Sequence, residues 1–250
     1  MVNVLLPRLA AFECRSERDL KGLAPILRVM DKLMGPMMRT RIAASAAALL
    51  MALALPAGAA TEMTAAAGER PARTAPTYGR TLPPIGFVKF CGRRPEACAT
   101  RPSGAVRPHL SARQWELVNR VNAYVNADVR PASDDEIYGE AERWDYPTAR
   151  GDCEDYALLK QRYLEVLGLP RSALLLTVVL DDRQEGHAVL MLATSEGDFI
   201  LDNRRDGVRR WSDSDYTFLK RQSPRDPRDW QALAPARRDK TGEVAARAVR

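Results

Sequence analysis

The sequence predicts an α+β domain, helices first and an antiparallel sheet after them. Three observations carry this. Two stretches with apolar residues at helical spacing begin at Ser111 and Asp152. Three runs rich in Leu, Val and Ile follow between residues 173 and 203. Nothing suggests another plan: there is no internal repeat, no glycine-rich phosphate loop and no CxxC pair.

The first helix has a clear start. Ser111 is an N-cap, Gln114 at the third helical position completes a capping box, and Leu110 can staple onto Trp115. Trp115, Val118, Val121 and Val125 form its apolar stripe, which runs to Asn126 or Ala127. Pro131 and the acidic "SDDE" at 133–136 then mark a loop that continues through Tyr138 to Trp144. The second helix starts at "RGDCEDYALLK", residues 150–160, with Asp152 as N-cap and Asp155 at the third position. Tyr156, Leu159, Tyr163, Leu164 and Leu167 supply its apolar face, and Gly168 followed by Pro170 ends it. "ALLLTVVL" (173–180), "HAVLMLAT" (187–194) and "FILDN" (199–203) read as strands, with "GVRRW" (207–211) a further short one.

The flanks carry different signals. Arg39 and Arg41 precede an apolar run from Ile42 to Leu55, then Pro56 and the small residues Ala57-Gly58-Ala59. This is the form of a secretory signal peptide at 37–59, and the run is short for a span of about 20 residues. The alternative is a signal anchor behind a short cytoplasmic segment. Signal peptides begin at the N-terminus, so Met37 or Met38 is the better start, and residues 1–36 are expected to be a mis-called extension or no part of the functional protein. Residues 60–84, rich in Ala, Pro, Thr and Gly, read as a flexible leader to a domain at 85–223. Residues 224–250 read as a charged peripheral tail. The expected location is therefore outside the cytoplasm, in the periplasm.

The net charge of +6 raises the question of a nucleic-acid partner. The arginines are dispersed and not interleaved with aromatics, which argues against a base-stacking surface. Export bears on the cysteines. With Cys14 upstream of the signal, Cys91 and Cys98 in "FCGRRPEAC" are natural partners for a short-loop disulfide. Cys153 is left over, and an odd cysteine in an exported chain is an intermolecular partner or a reactive thiol.

Cys153 lies among Asp152, Glu154 and Asp155, whose charges oppose a thiolate, yet it falls in the first turn of a helix, which favours one. A nucleophilic cysteine needs a base, and the chain has 2 histidines, His109 and His187. His187 opens a strand directly after Gly186, and the following hairpin brings Asp202 within a few residues of it. A turn near 195–198 pairs position 187 with about 205–206, so Asp202 is near His187 without facing it. Spacing alone also allows a structural thiol, a capping histidine and an ordinary turn aspartate.

The combination of Trp144, Pro147, "GDCEDYALLK", "LGLP", "LLLTVV", "EGHAVLML", "FILDN" and Trp211, in this order, resembles the bacterial transglutaminase-like cysteine peptidase family. Its best-known members are the LapG-like periplasmic proteases that cut biofilm adhesins. The likeness runs from about Phe87 to Tyr216; the residues before the signal depart from it. The resemblance implies a papain/transglutaminase-like fold and a triad of Cys153, His187 and Asp202. It implies a bound Ca²⁺ close to the nucleophile, with Asp152 and Glu154 as ligands; Asp155 and the "SDDE" loop are unranked further ones. It implies an exported endopeptidase that cleaves a periplasmic or cell-surface, adhesin-like protein through a thioester, and an inner-membrane regulatory protein as a second partner. The Cys153 backbone N–H and a donor near Trp144 would form its oxyanion hole. The alternatives are transglutaminase- or amidase-type acyl transfer with the same triad, and a calcium-dependent binding module with a non-catalytic site.

Overall fold

The structure, a computed structural model, describes residues 72–100 and 104–235. The expected extension (1–36), the signal peptide (37–59), the first part of the leader and the end of the tail lie outside the described residues.

Among the described residues, four α-helices and nine strands build the domain. The helices are α1 (Ile85–Arg93), α2 (Ala112–Asp128), α3 (Asp134–Tyr138) and α4 (Cys153–Val166). The strands are β1 (Arg80–Thr81), β2 (Arg130–Pro131), β3 (Arg150–Gly151), β4 (Leu174–Leu180), β5 (Gly186–Thr194), β6 (Gly197–Asp202), β7 (Arg205–Arg210), β8 (Thr217–Gln222) and β9 (Trp230–Ala232). Seven strands form one antiparallel sheet in the order β1-β9-β8-β4-β5-β6-β7, and β2 and β3 make a separate parallel pair. α4 packs on β4 and β5, and α2 packs on β7 and α4. This is the α+β order expected from the chain.

The helix start signals act as read for α2: Ser111 and Gln114 close both halves of the capping box. α4 begins after Asp152, but that side chain makes no cap bond, and Gly168 at φ 97° ends the helix. The "SDDE" run is not a loop. Ser133 and Glu136 form a second capping box, α3 follows, and Gly139 closes it at φ 66°. The S-x-x-E spacing carries that signal; the flanking Pro131 and Gly139 obscure it.

Two boundaries need correction. Residues 72–84 are not a free leader: Asp198 of β6 holds Arg73 and Ala75, and β1 pairs with β9. The buried Asp198 accepts from the Ala75 N–H at 2.9 Å, its own N–H donates to the Arg73 carbonyl at 2.8 Å, and Arg221 pairs with its carboxylate at 3.0 Å. Ala75 thereby joins Leu175, Val189, Met191, Ile200 and Phe218 in one apolar cluster.

Nor is everything after Pro224 peripheral. β9 is an interior strand of the sheet, and Trp230 is 1% exposed. Its ring stands edge-on to Phe87 of α1 at 5.4 Å and to Trp144 at 6.3 Å. Gly86 lets the Trp144 indole approach so closely that a Cβ there would overlap the ring. Trp230→Ala should therefore cost about 3–5 kcal/mol in urea unfolding, the usual loss for emptying a large aromatic site. A peripheral tail would cost under about 0.5 kcal/mol. Cys91 and Cys98 are joined by a disulfide that ties the end of α1 to the turn after it.

Candidate active site

Three segments converge on the start of α4. The parallel pair β2–β3 sets Pro131 level with Gly151, so the end of α2 and the entry to α4 are held side by side. The Tyr156 hydroxyl adds a bond to the Val129 carbonyl. A Cβ on Gly151 would meet the Asp155 carboxylate at 2.7 Å, which is why glycine fits there. Asp155 accepts the Asp145 N–H at 2.8 Å. Burial pushes its carboxyl up to about 8 against that bond, with further upward pressure from Asp152 and Asp134. Asp145 is fixed in turn by Arg94 at 2.7 Å, from the disulfide-bridged end of α1.

Cys153 is the first residue of α4 and the free cysteine among the described residues. The Ala188 N–H donates to its Sγ at 3.3 Å, and the thiol reaches the Glu154 carboxylate at 3.1 Å. Burial raises the thiol well above its ordinary range, and the charges of Glu154 and Asp152 raise it further; the Ala188 N–H pulls the other way.

His187 is buried, and its Nε2 lies 3.0 Å from Asp202 Oδ1. The hairpin explains the contact. Leu190 pairs with Leu201 and Thr194 with Gly197 across a tight turn. The same register sets Asp202 level with Val189, so His187 and Asp202 are diagonal neighbours on one sheet face, within reach of an imidazole. The expected pairing of 187 with 205–206 is out by one or two residues, because the turn is shorter than the span read for it.

Burial opposes charge on Asp202, but bonds from His187, the Tyr216 hydroxyl at 2.6 Å and the Arg204 N–H at 3.0 Å outweigh it. They hold the carboxyl below the usual range. An ionised Asp202 accepts Nε2–H, which leaves Nδ1 as the bare, basic nitrogen. Nδ1 is buried and has no hydrogen-bond partner. Tyr216 also covers the imidazole, ring to ring at 5.5 Å.

The acids beside the thiol gather with a third. Oxygens of Asp134, Asp152 and Glu154 lie within 4.8 Å of one another. Asp134 comes from the first turn of α3 and accepts the Arg143 N–H. Its Oδ1 and the Oδ1 of Asp152 are buried without partners. Burial raises all three carboxyls, Asp152 to about 6; the charge of Asp134 adds to the rise for Asp152 and that of Asp152 to the rise for Glu154.

The predicted residues thus fall in two groups. His187 and Asp202 touch, and Cys153 adjoins the same strand through the Ala188 N–H, without a hydrogen bond to the imidazole. Asp152 and Glu154 sit together with Asp134, whereas Asp155 is committed to Asp145. His109 is exposed and pairs with Glu196. The donor expected near Trp144 is not its indole: Nε1–H is bound to Glu142 at 2.9 Å in a buried position. Tyr216 is not readable from the chain, since a lone tyrosine after a loop carries no spacing signal.

Among the described residues no helix is long and apolar enough to cross a membrane. No curated protein matches the chain. Among solved structures, Legionella pneumophila LapG matches with 26% identity and a TM-score of 0.37, over 42% of this chain and 62% of that one. This chain therefore spans less than two thirds of that protein. A calcium-bound form of the same protein matches with 21% identity and a TM-score of 0.42, over 52% and 74% of the two chains. The family model of the bacterial transglutaminase-like cysteine proteinases matches residues 77–238, from before α1 to beyond β9. That match spans the whole sheet, the helix that carries Cys153 and the hairpin that carries His187 and Asp202, and the chain belongs to the bacterial transglutaminase-like cysteine proteinase family.

Proposed function

We propose that the chain is an exported cysteine endopeptidase that hydrolyses a protein of the periplasm or cell surface through Cys153, His187 and Asp202. The observation that carries this is the buried His187–Asp202 pair with its free Nδ1, next to a helix-start thiol that contacts the Ala188 N–H. His187 Nδ1 takes the proton of Cys153, and the thiolate attacks a backbone carbonyl carbon. Asp202, fixed by Tyr216, holds the ring in the required tautomer and stabilises the imidazolium. The imidazolium returns the proton to the leaving amine. Water, deprotonated by the same nitrogen, then cleaves the thioester and frees the thiol. The Cys153 N–H, in the first turn of α4, is a donor for the oxyanion.

Asp134, Asp152 and Glu154 fit a calcium ion: they offer hard oxygens, and two of those oxygens are buried and unpaired. Bound there, Ca²⁺ would supply positive charge that offsets the acids beside Cys153 and would brace the start of α4.

The test needs no substrate. The pH dependence of Cys153 alkylation is measured with calcium and with a chelator. With calcium the thiol should titrate below the free value of about 8.5. Chelation should raise that midpoint, and His187→Ala should alter it. A slow, unshifted thiol under every condition overturns the reading.

A further inference from the structure

We propose that Arg204 and Asp181 are positioning residues of this site: their ion pair is a clip that ties the turn leading into His187 to the turn leading out of Asp202. The inference rests on the triad reading given above. The sheet leaves a gap at this point. Pairing between β5 and β6 runs from Thr194–Gly197 to Leu190–Leu201, and His187 and Asp202 both lie beyond that last rung. His187 is registered against Val179 of β4, and Asp202 against Arg205 of β7, so each is held by its outer neighbour. The register of β6 on β7 also shifts between Ile200 and Asp202. The backbone ladder therefore does not set the distance between the imidazole and its carboxylate.

Asp181 and Arg204 span that gap. Asp181 opens the turn between β4 and β5 and is 3% exposed. Its Oδ1 accepts the N–H groups of Arg183 and Glu185 at 3.0 and 2.9 Å, and its own N–H donates to the Glu185 carbonyl at 3.0 Å. These bonds close a turn that holds Gln184 at φ 63°, a conformation a non-glycine residue keeps where its surroundings impose it. Gly186 and His187 follow directly. The second oxygen, Oδ2, accepts Arg204 Nη1 at 2.8 Å. Arg204 lies in the turn between β6 and β7, and its backbone N–H donates to Asp202 Oδ1, the oxygen that meets His187 Nε2. One residue thus grips the carboxylate through its backbone and the opposite turn through its side chain. The Arg204 side chain is 45% exposed, and an ion pair so placed adds little to stability. What it fixes is the separation of the two turns. Tyr216 holds the other oxygen of Asp202 from a third segment.

The test is Cys153 alkylation against pH in the calcium-supplemented protein, with melting temperatures measured alongside. Arg204→Ala removes the guanidinium, keeps the N–H on Asp202 and, at a half-exposed position, leaves the core untouched. A loosened imidazole stabilises the thiolate less, so the alkylation midpoint should rise by about one pH unit, a tenfold loss of thiolate near neutral pH. The melting temperature should fall by no more than a few degrees. Asp181→Asn keeps an acceptor for the turn and loses the charge, and should give the same rise. The double variant should shift no further than either single one, because both break one pair. A wild-type midpoint in folded Arg204→Ala or Asp181→Asn overturns the proposal, and so do shifts that add in the double variant. If one variant does not fold, the other decides. Failure of the underlying triad shows separately: Cys153 would then react in His187→Ala as it does in the wild type.

Discussion

Replacing Cys153 with alanine is expected to abolish peptide hydrolysis and leave the fold intact. The thiol contributes one weak bond from the Ala188 N–H and one contact to Glu154, and both the burial and the adjacent acids oppose its charge. Alanine removes that group from a helix start that alanine tolerates well. The melting temperature should therefore stay within a few degrees or rise. Hydrolysis should fall by about 10³–10⁶-fold, as for the loss of a nucleophile in other triads. His187→Ala should fall about as far, and the double variant no further, because the two groups act as one unit. Asp202→Asn should also be severe: Tyr216 and Arg204 would still hold the side chain, but the carbonyl oxygen would accept Nε2–H without the charge that stabilises the imidazolium. A pool of unfolded polypeptides digested with each variant provides the assay. Cleavage by Cys153→Ala at more than a few per cent of the wild-type rate would remove Cys153 from the mechanism.

Much of this site is legible along the chain, and the limits have physical causes. Helix α2 is readable because its capping box and apolar stripe are local. The three strands from Leu174 to Asp202 are readable because they are nearly continuous apolar runs in the middle of the sheet. β8 and β9 are not, because alternating charge and a tryptophan among prolines resemble loop composition; long-range pairing makes them strands. The His187–Asp202 contact is approachable through hairpin register, but a turn one or two residues shorter decides whether two residues are diagonal or remote. Which acid of the "SDDE" run joins the cluster lies beyond local reading, and so does Lys160. Asp134 meets Asp152 and Glu154 across a separation no spacing rule covers. Lys160 resembles any other helical lysine in the sequence, and only its burial in the fold sets it apart. The acids beside Cys153 pose a local contradiction, and it is an accurate signal: sequence rules fail most where a site keeps charge that folding alone would remove.

Calcium should stabilise the protein strongly above pH 6 and weakly near pH 4. The sign follows from the acids. Burial raises the carboxyl of Asp152 to about 6 and those of Asp134 and Glu154 in the same direction, whereas in the unfolded chain such groups titrate near 4. As pH rises between those values, the unfolded chain loses its protons while the folded one retains them. The folded state then binds more protons, so stability falls as pH rises, and the full penalty is present above the folded midpoints. Asp155, raised to about 8, extends the decline toward alkaline pH. In chelator the melting temperature should therefore drop from pH 5 to pH 8. Calcium competes with those protons, so it binds best where the carboxyls are ionised. At about a hundred times its dissociation constant it should add about 2.7 kcal/mol, or about 5–10 °C for a domain of this size. Asp152→Asn with Glu154→Gln should melt higher than wild type in chelator at pH 8, because the buried repulsion is gone, and should no longer respond to calcium. An equal calcium response in that variant would place the ion elsewhere. A melting temperature that ignores calcium at both pH values would leave the three carboxylates as a proton-binding cluster, and Cys153 would then depend on His187 and the first turn of α4 for its activation.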